Sequence, residues 1–194
     1  MKNNLYILLL SFAFFSCGIQ SIPMAKNEVE AKWAEVINQY KRRSDLIPNL
    51  VKTVKGYAAH EKDTLEGVIK ARAEATKTQI NVGDLTPEKM QQFSQAQGSL
   101  GSALSKLMVV VERYPDLKAS QNFRDLQAQL EGTENRIVVA RNRYIETIKN
   151  FNNLITVVPT SWTNSFYFKY DKKPQFTVAN EKEIQEAPEV DFND

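Results

Sequence analysis

The sequence predicts an all-α protein: an antiparallel up-and-down bundle of three long helices plus a short fourth helix, behind an N-terminal membrane anchor. Three observations lead there. Apolar residues recur every three or four positions along three stretches, the period of a helix that buries one face. Proline and threonine stand at the joins between those stretches, where helices stop and start. The chain opens with a short basic leader and an apolar run, the form of a membrane-directed segment. Residues 1–17 therefore read as a lipoprotein-like signal peptide or membrane anchor, 18–26 as a tether, 27–170 as the bundle and 171–194 as an acidic, disordered tail.

Composition fits one such domain. The 194 residues are 42% hydrophobic and 25% charged, enough to bury a single core. With 25 basic and 23 acidic residues the net charge is +2, so no overall field favours nucleic acid as a partner. Cys17 is the single cysteine, which excludes an intramolecular disulfide and a cysteine-based metal site.

At the N-terminus, Met1-Lys2-Asn3-Asn4 precedes an apolar run from Leu5 to Phe15. A run of that length suits a signal-peptide core better than a membrane span, which needs about 20 residues. Phe14-Phe15-Ser16-Cys17-Gly18 then resembles a bacterial lipoprotein signal, with Phe14 where leucine is usual. Acyl chains on Cys17 would anchor the chain stably. The competing reading is an uncleaved span from Leu5 to about Met24, which would have to bury Ser16, Gln20 and Ser21 at a cost in polarity. Either reading holds the rest of the chain at a membrane surface.

The first long helix is predicted over residues 29–76. Steps of about 3.6 residues from Val29 land on or beside Trp33, Val36, Tyr40, Arg43, Ile47, Val51, Val54, Ala58, Glu61, Leu65, Ile69 and Arg72. The stripe crosses Pro48 in phase, which argues for a bend within one continuous helix. Pro48 lacks a backbone donor and crowds the Ser44 carbonyl. A break, with Asp45 capping a second helix, is the alternative.

Residues 80–85 supply loop chemistry, and Thr86-Pro87-Glu88 starts the next helix, with Thr86 as its cap and proline in its favoured first position. The stripe Phe93, Leu100, Leu104, Leu107, Val111 and Tyr114 stops at Pro115. Ser94, Gly98, Gly101, Ser102 and Ser105 form a second, small-residue face, expected to admit a neighbouring helix closely; self-association is the sharper alternative. Asp116 is expected to cap a third helix running to about Val158. Its stripe passes from Phe123 through Tyr144 to Ile155 and Val158, and Val138, Ile145 and Leu154 widen it enough to touch neighbours on both sides. The middle helix is too short to pair with the whole length of the other two. A short helix capped by Thr160 or Ser161 follows, with Phe168, Tyr170 and Phe176 as packing anchors. After Ala179, six acids face one lysine, the pattern of a solvated tail.

His60-Glu61 begins a zinc-protease signature, but Thr64 stands where the second histidine belongs, so the motif fails. No Gly-rich phosphate loop, nucleophile elbow or calcium loop is present. The candidates are polar residues on or beside apolar stripes: Arg43, Glu61, Arg72, Glu131, Glu134, Asn135, Arg136 and Arg141. The structural reading is a buried polar network that fixes helix register. The functional reading is a pocket with perturbed carboxylates. Glu134 and Arg136 lie about 200° apart on a helix, so each is expected to reach a different neighbour.

Several linked motifs carry a family resemblance. Arg42-Arg43-Ser44-Asp45-Leu46-Ile47-Pro48-Asn49-Leu50-Val51 and Val54-Lys55-Gly56-Tyr57-Ala58-Ala59-His60-Glu61 resemble the N-terminal hallmark of the LemA family. Ala71-Arg72-Ala73, Glu112-Arg113-Tyr114-Pro115-Asp116-Leu117-Lys118-Ala119 and Asn122-Phe123 resemble its middle. Leu130-Glu131-Gly132-Thr133-Glu134-Asn135-Arg136-Ile137, with Ala140-Arg141 and Tyr144, resemble its last long helix. The resemblance covers nearly everything after residue 28. It implies a bacterial membrane-anchored helical bundle exposed outside the cytoplasm, with no established catalytic activity or cofactor. Many members resemble single-span proteins, whereas the Cys17 region here looks lipidated.

The function expected from these observations is a non-enzymatic, membrane-tethered helical scaffold that binds other proteins of the bacterial cell envelope. Its partners are the membrane, through the N-terminus, and envelope proteins. A receptor for a peptide or small molecule, using a cleft near Glu134 and Arg136, is the second reading. A hydrolase with paired carboxylates on facing helices ranks last.

Overall fold

Pro48 does not end the first helix. The computed structural model, which describes residues 19–78, 80, 83 and 85–176, carries α1 unbroken over Ser21–Tyr57 with Pro48 inside it. The break comes later, at Ala58–Glu61, and α2 (Lys62–Lys77) folds back along α1. The expected 48-residue helix is therefore a helical hairpin. Nothing local except Gly56, which weakens a helix by about 1 kcal/mol against alanine, marks the turn. Long-range bonds hold it: Glu61 Oε1 accepts from Arg113 Nη2 at 2.8 Å and from Tyr114 Oη at 2.9 Å. The apolar phase resets across it, since Leu65, Val68 and Ala75 are the buried residues of α2 while Ile69 is exposed.

The other elements are α3 (Pro87–Val111), α4 (Pro115–Ala119), α5 (Gln121–Thr156) and α6 (Thr160–Thr163), which runs into a π-helical turn over Asn164–Phe168. The result is an up-down-up-down arrangement of α1, α2, α3 and α5 in place of three long helices. Thr86 caps α3 as expected, its hydroxyl accepting the Lys89 amide, and Pro87 opens the helix. Backbone hydrogen bonding first, and the Thr86 hydroxyl second, hold the Glu88 carboxyl below its ordinary value. Asp116 is not the cap of α5: Pro115 starts the five-residue α4, and Ser120 precedes α5. Thr160 does not cap α6 either; its hydroxyl donates back to the Leu154 and Val157 carbonyls.

Packing divides the interior into two apolar layers. One gathers Ile22, Trp33 and Tyr40 of α1, Met90 and Phe93 of α3, and Tyr144, Ile148 and Phe151 of α5. The other gathers Ile47, Leu50 and Val54 of α1, Leu65 and Val68 of α2, Leu100 and Leu107 of α3, and Phe123 and Leu130 of α5. Since α2 ends short of the first layer, the C-terminal segment fills the space there. Phe176 packs 5.9 Å from Trp33 and 5.6 Å from Tyr144, contacts each worth about 0.5–1.5 kcal/mol beyond area burial. Two asparagines use both amide atoms to hold this segment, Asn164 on the Tyr170 backbone and Asn152 on the Lys173 backbone.

Two boundaries drawn from sequence shift accordingly. Residues 21–26, expected in a tether, are helical, and Ile22 is fully buried. Residues 171–176, drawn within the tail, supply Phe176 to the core, in agreement with the reading of Phe168, Tyr170 and Phe176 as packing anchors. Of the residues expected to widen the α5 stripe, Leu154 packs against the first apolar layer, while Val138 is 51% exposed and meets no neighbouring helix. Cys17, the apolar run before it and the acids after Ala179 lie outside the described residues.

Candidate functional site

A single polar layer separates the two apolar ones. Arg43 and Ser44 lie between Tyr40 and Ile47 on α1, Gln97 lies between Phe93 and Leu100 on α3, and Thr133 and Glu134 lie between Leu130 and Ile137 on α5. Arg43 is the centre. Its Nη1 donates to Glu134 Oε2 at 3.0 Å, and its Nη2 donates to the Gln97 side chain at 2.7 Å and the Gln97 carbonyl at 3.2 Å. Gln97 then donates to the Ala75 carbonyl of α2 at 3.2 Å. One guanidinium thus ties α1 to α5 and α3, and through Gln97 to α2. The Arg43 side chain is 5% exposed and Glu134 55%, so the ion pair runs from the interior to the surface. A pair of this kind specifies register more than it adds stability.

The expected network is only partly assembled. Arg43 and Glu134 meet, and Arg72 joins the layer by donating its Nε to the Ser44 carbonyl at 2.7 Å. Glu61 belongs to the turn after α1 instead. Arg141 lies 4.6 Å over the Phe176 ring, in the first apolar layer. Glu131 is exposed and accepts from Gln127 on its own helix. Asn135 and Arg136 face solvent and make no hydrogen bond or ion pair among the described residues, so Arg136 does not reach a neighbouring helix. Gln97 was missed, although it stands as the one polar gap in the α3 stripe between Phe93 and Leu100.

Above Arg43 the helices part. α5 packs along α1 and α3 along α2, while α3 and α5 do not pack closely on each other and leave a groove of about 480 Å³. Arg43 forms part of its floor; Gly101, Leu104, Ser105 and Met108 line it from α3, and Gln127, Leu130, Glu131 and Glu134 from α5. The small-residue face of α3 opens into this space and toward solvent. No heavy atom lies within 4 Å of where a Cβ would stand on Gly98 or Gly101, so that face does not admit a neighbouring helix of the bundle. A second cavity of about 450 Å³ lies beyond Gln97, lined by residues including Tyr40, Lys41, Asp45 and Ile80. Burial raises the Tyr40 hydroxyl above its ordinary value, against the opposing pull of Arg141 and Arg43. Among the described residues no cluster of three or more His, Cys, Asp or Glu side chains could hold a metal ion.

The family model of the LemA family matches residues 32–192. The chain belongs to the LemA family. Among curated relatives, this LemA-family chain is 27% identical over 149 residues to the magnetosome protein MamQ of Magnetospirillum gryphiswaldense, covering 68% of this chain and 55% of that protein. It is 26% identical over 152 residues to magnetosome protein MamQ 1 of Paramagnetospirillum magneticum, covering 70% and 56%. It is 25% identical over 146 residues to protein LemA of Metamycoplasma hominis, covering 75% and 62%. The chain spans little more than half the length of these relatives. The polar layer lies wholly inside the matched region.

Proposed function

We propose that this LemA-family chain is a non-enzymatic, membrane-tethered helical binding protein of the bacterial envelope, and that it holds a helical segment of a partner protein in the groove between α3 and α5. The groove carries the proposal. Leu104, Met108 and Leu130 offer apolar contact, and methionine adapts to irregular partners. Gly101 and Ser105 let a helix backbone approach closely, and the exposed Glu131 and Glu134 favour a basic residue on the occupant. That is the pattern of a helix-in-groove interaction. Tethering rests on the apolar run before Cys17 and on family membership; among the described residues, no helix is long and apolar enough to cross a membrane.

A photo-crosslinking side chain at Ser105, in the full chain in its own membrane, tests this reading. A discrete adduct from Ser105, absent when the same group is placed at exposed Glu66 on α2, is the expected result. Identical adducts from both positions, or none from Ser105, contradict it. The second reading, a small-molecule receptor, rests on the cavity beside Tyr40 and Gln97 and predicts ligand protection of that cavity with no adduct from Ser105.

A further inference from the structure

At one end of the bundle three large aromatic side chains are left in the open. Trp162 is 61% exposed, Phe166 74% and Tyr167 68%, and Val157 and Val158 beside them are also exposed. A core tryptophan or phenylalanine is normally covered, so three exposed aromatics within six residues call for an occupant. Their position identifies which end this is. Ile155, at the close of α5, shares an apolar layer with Ile22, at the start of α1. Tyr170, held to Asn164 by two hydrogen bonds, has the Lys26 ammonium 5.9 Å from its ring centroid. The aromatic segment therefore sits beside the start of α1. In sequence, the apolar run and Cys17 immediately precede the start of α1, where Ile19 and Met24 are exposed as well.

We propose that this end of the bundle is a lipid-contacting face, with Trp162, Phe166 and Tyr167 seated in the headgroup region of the membrane that holds the N-terminus. The inference rests on the tethering reading above. Aromatic side chains with a polar edge concentrate at that depth because one side meets hydrocarbon and the other water. The local charge is complementary to anionic lipid. No acid occurs between Glu146 and Asp171, while Lys149, Lys169, Lys172 and Lys173 lie in or just after that stretch, each cation near an anionic surface adding attraction. A second contact of this kind converts a flexible tether into a fixed orientation. The long axis of the bundle would then stand away from the membrane, with the α3–α5 groove displaced from it along α1.

The two tryptophans supply the test. Trp33 is 2% exposed and serves as an internal reference, while Trp162 faces outward. The full chain is reconstituted in vesicles of phosphatidylcholine and phosphatidylglycerol with brominated acyl chains. Brominated lipid is expected to quench a component of the emission that acrylamide does not reach. That component should vanish in Trp162→Ala and remain in Trp33→Phe, which leaves Trp162 as the sole reporter. Quenching of Trp162 by acrylamide and not by brominated lipid overturns the proposal. Shielding from both also overturns it, because a second copy or a partner protein then covers the face. Flotation separates the two readings: vesicles that carry the chain without quenching sink the lipid face alone, and a chain that does not float sinks the tether as well.

Discussion

The Ser44 carbonyl accepts Arg72 Nε at 2.7 Å, and Ser44 is the residue whose helical donor would be the missing amide of Pro48. Proline in a helix interior frees the carbonyl four residues before it, and a buried carbonyl without a donor costs about 1–3 kcal/mol. Ser44 is 3% exposed, so Arg72 supplies from α2 what Pro48 withholds within α1. The disruption that would mark a helix end in isolation becomes the attachment point for the returning helix.

Arg72→Ala is accordingly expected to destabilise by about 1–3 kcal/mol, and by less when Pro48→Ala restores the helical amide. Urea melts of the two single variants and the double variant measure the coupling, expected at about 1 kcal/mol. Additive losses would show that Arg72 acts elsewhere.

The ion pair at the centre makes a different forecast from the one its sequence suggests. Glu134→Ala leaves the buried guanidinium with its Gln97 bonds only, and a cost of about 1–3 kcal/mol follows for a charge-assisted bond lost on one side. Arg136→Ala touches no partner and should stay within about 0.5 kcal/mol, as exposed substitutions do. Denaturant midpoints of both variants check the contrast.

The chain announces some of this and hides the rest for physical reasons. Thr86 and Pro87 mark the start of α3 because capping and fixed backbone angles are local chemistry. The turn at Ala58–Glu61 is set by Arg113 and Tyr114, some fifty residues away, so no local pattern reveals it. Arg43 and Glu134 were legible as polar positions on apolar stripes. Arg136 was misplaced because periodicity says which residues share a face, and not whether another helix lies against that face. On α5 the side away from α1 borders a groove and solvent.

Tyr144 is fully buried between Trp33 and Phe176, yet its hydroxyl has no hydrogen-bond partner among the described residues. Tyr144→Phe is expected to leave stability unchanged or raise it by about 1 kcal/mol, whereas Tyr144→Ala should cost about 3–5 kcal/mol. Burial holds this hydroxyl, and that of Tyr40, protonated above the ordinary value of 10.0. The unfolded chain releases both protons near that value and the native chain only above it. Their contribution is therefore complete below pH 10 and is lost as pH climbs through the raised native values. Melts on either side of that point should show a steeper alkaline loss in the wild type than in Tyr144→Phe.

Gly101 lies inside α3 with open space where a Cβ would stand. Gly101→Ala should therefore stabilise the helix by up to about 1 kcal/mol, read as a rise in the thermal midpoint. A fall would mean that a neighbour closes on that face.

The same glycine gives the most direct test of the groove. A photo-crosslinker at Gln127, on the α5 wall, is compared in the wild-type full chain and in Gly101→Leu, whose added side chain projects into the space between α3 and α5. The proposed occupancy predicts a discrete partner adduct in the wild type that disappears in Gly101→Leu while the thermal midpoint does not fall. An adduct of equal yield in the filled variant would contradict it.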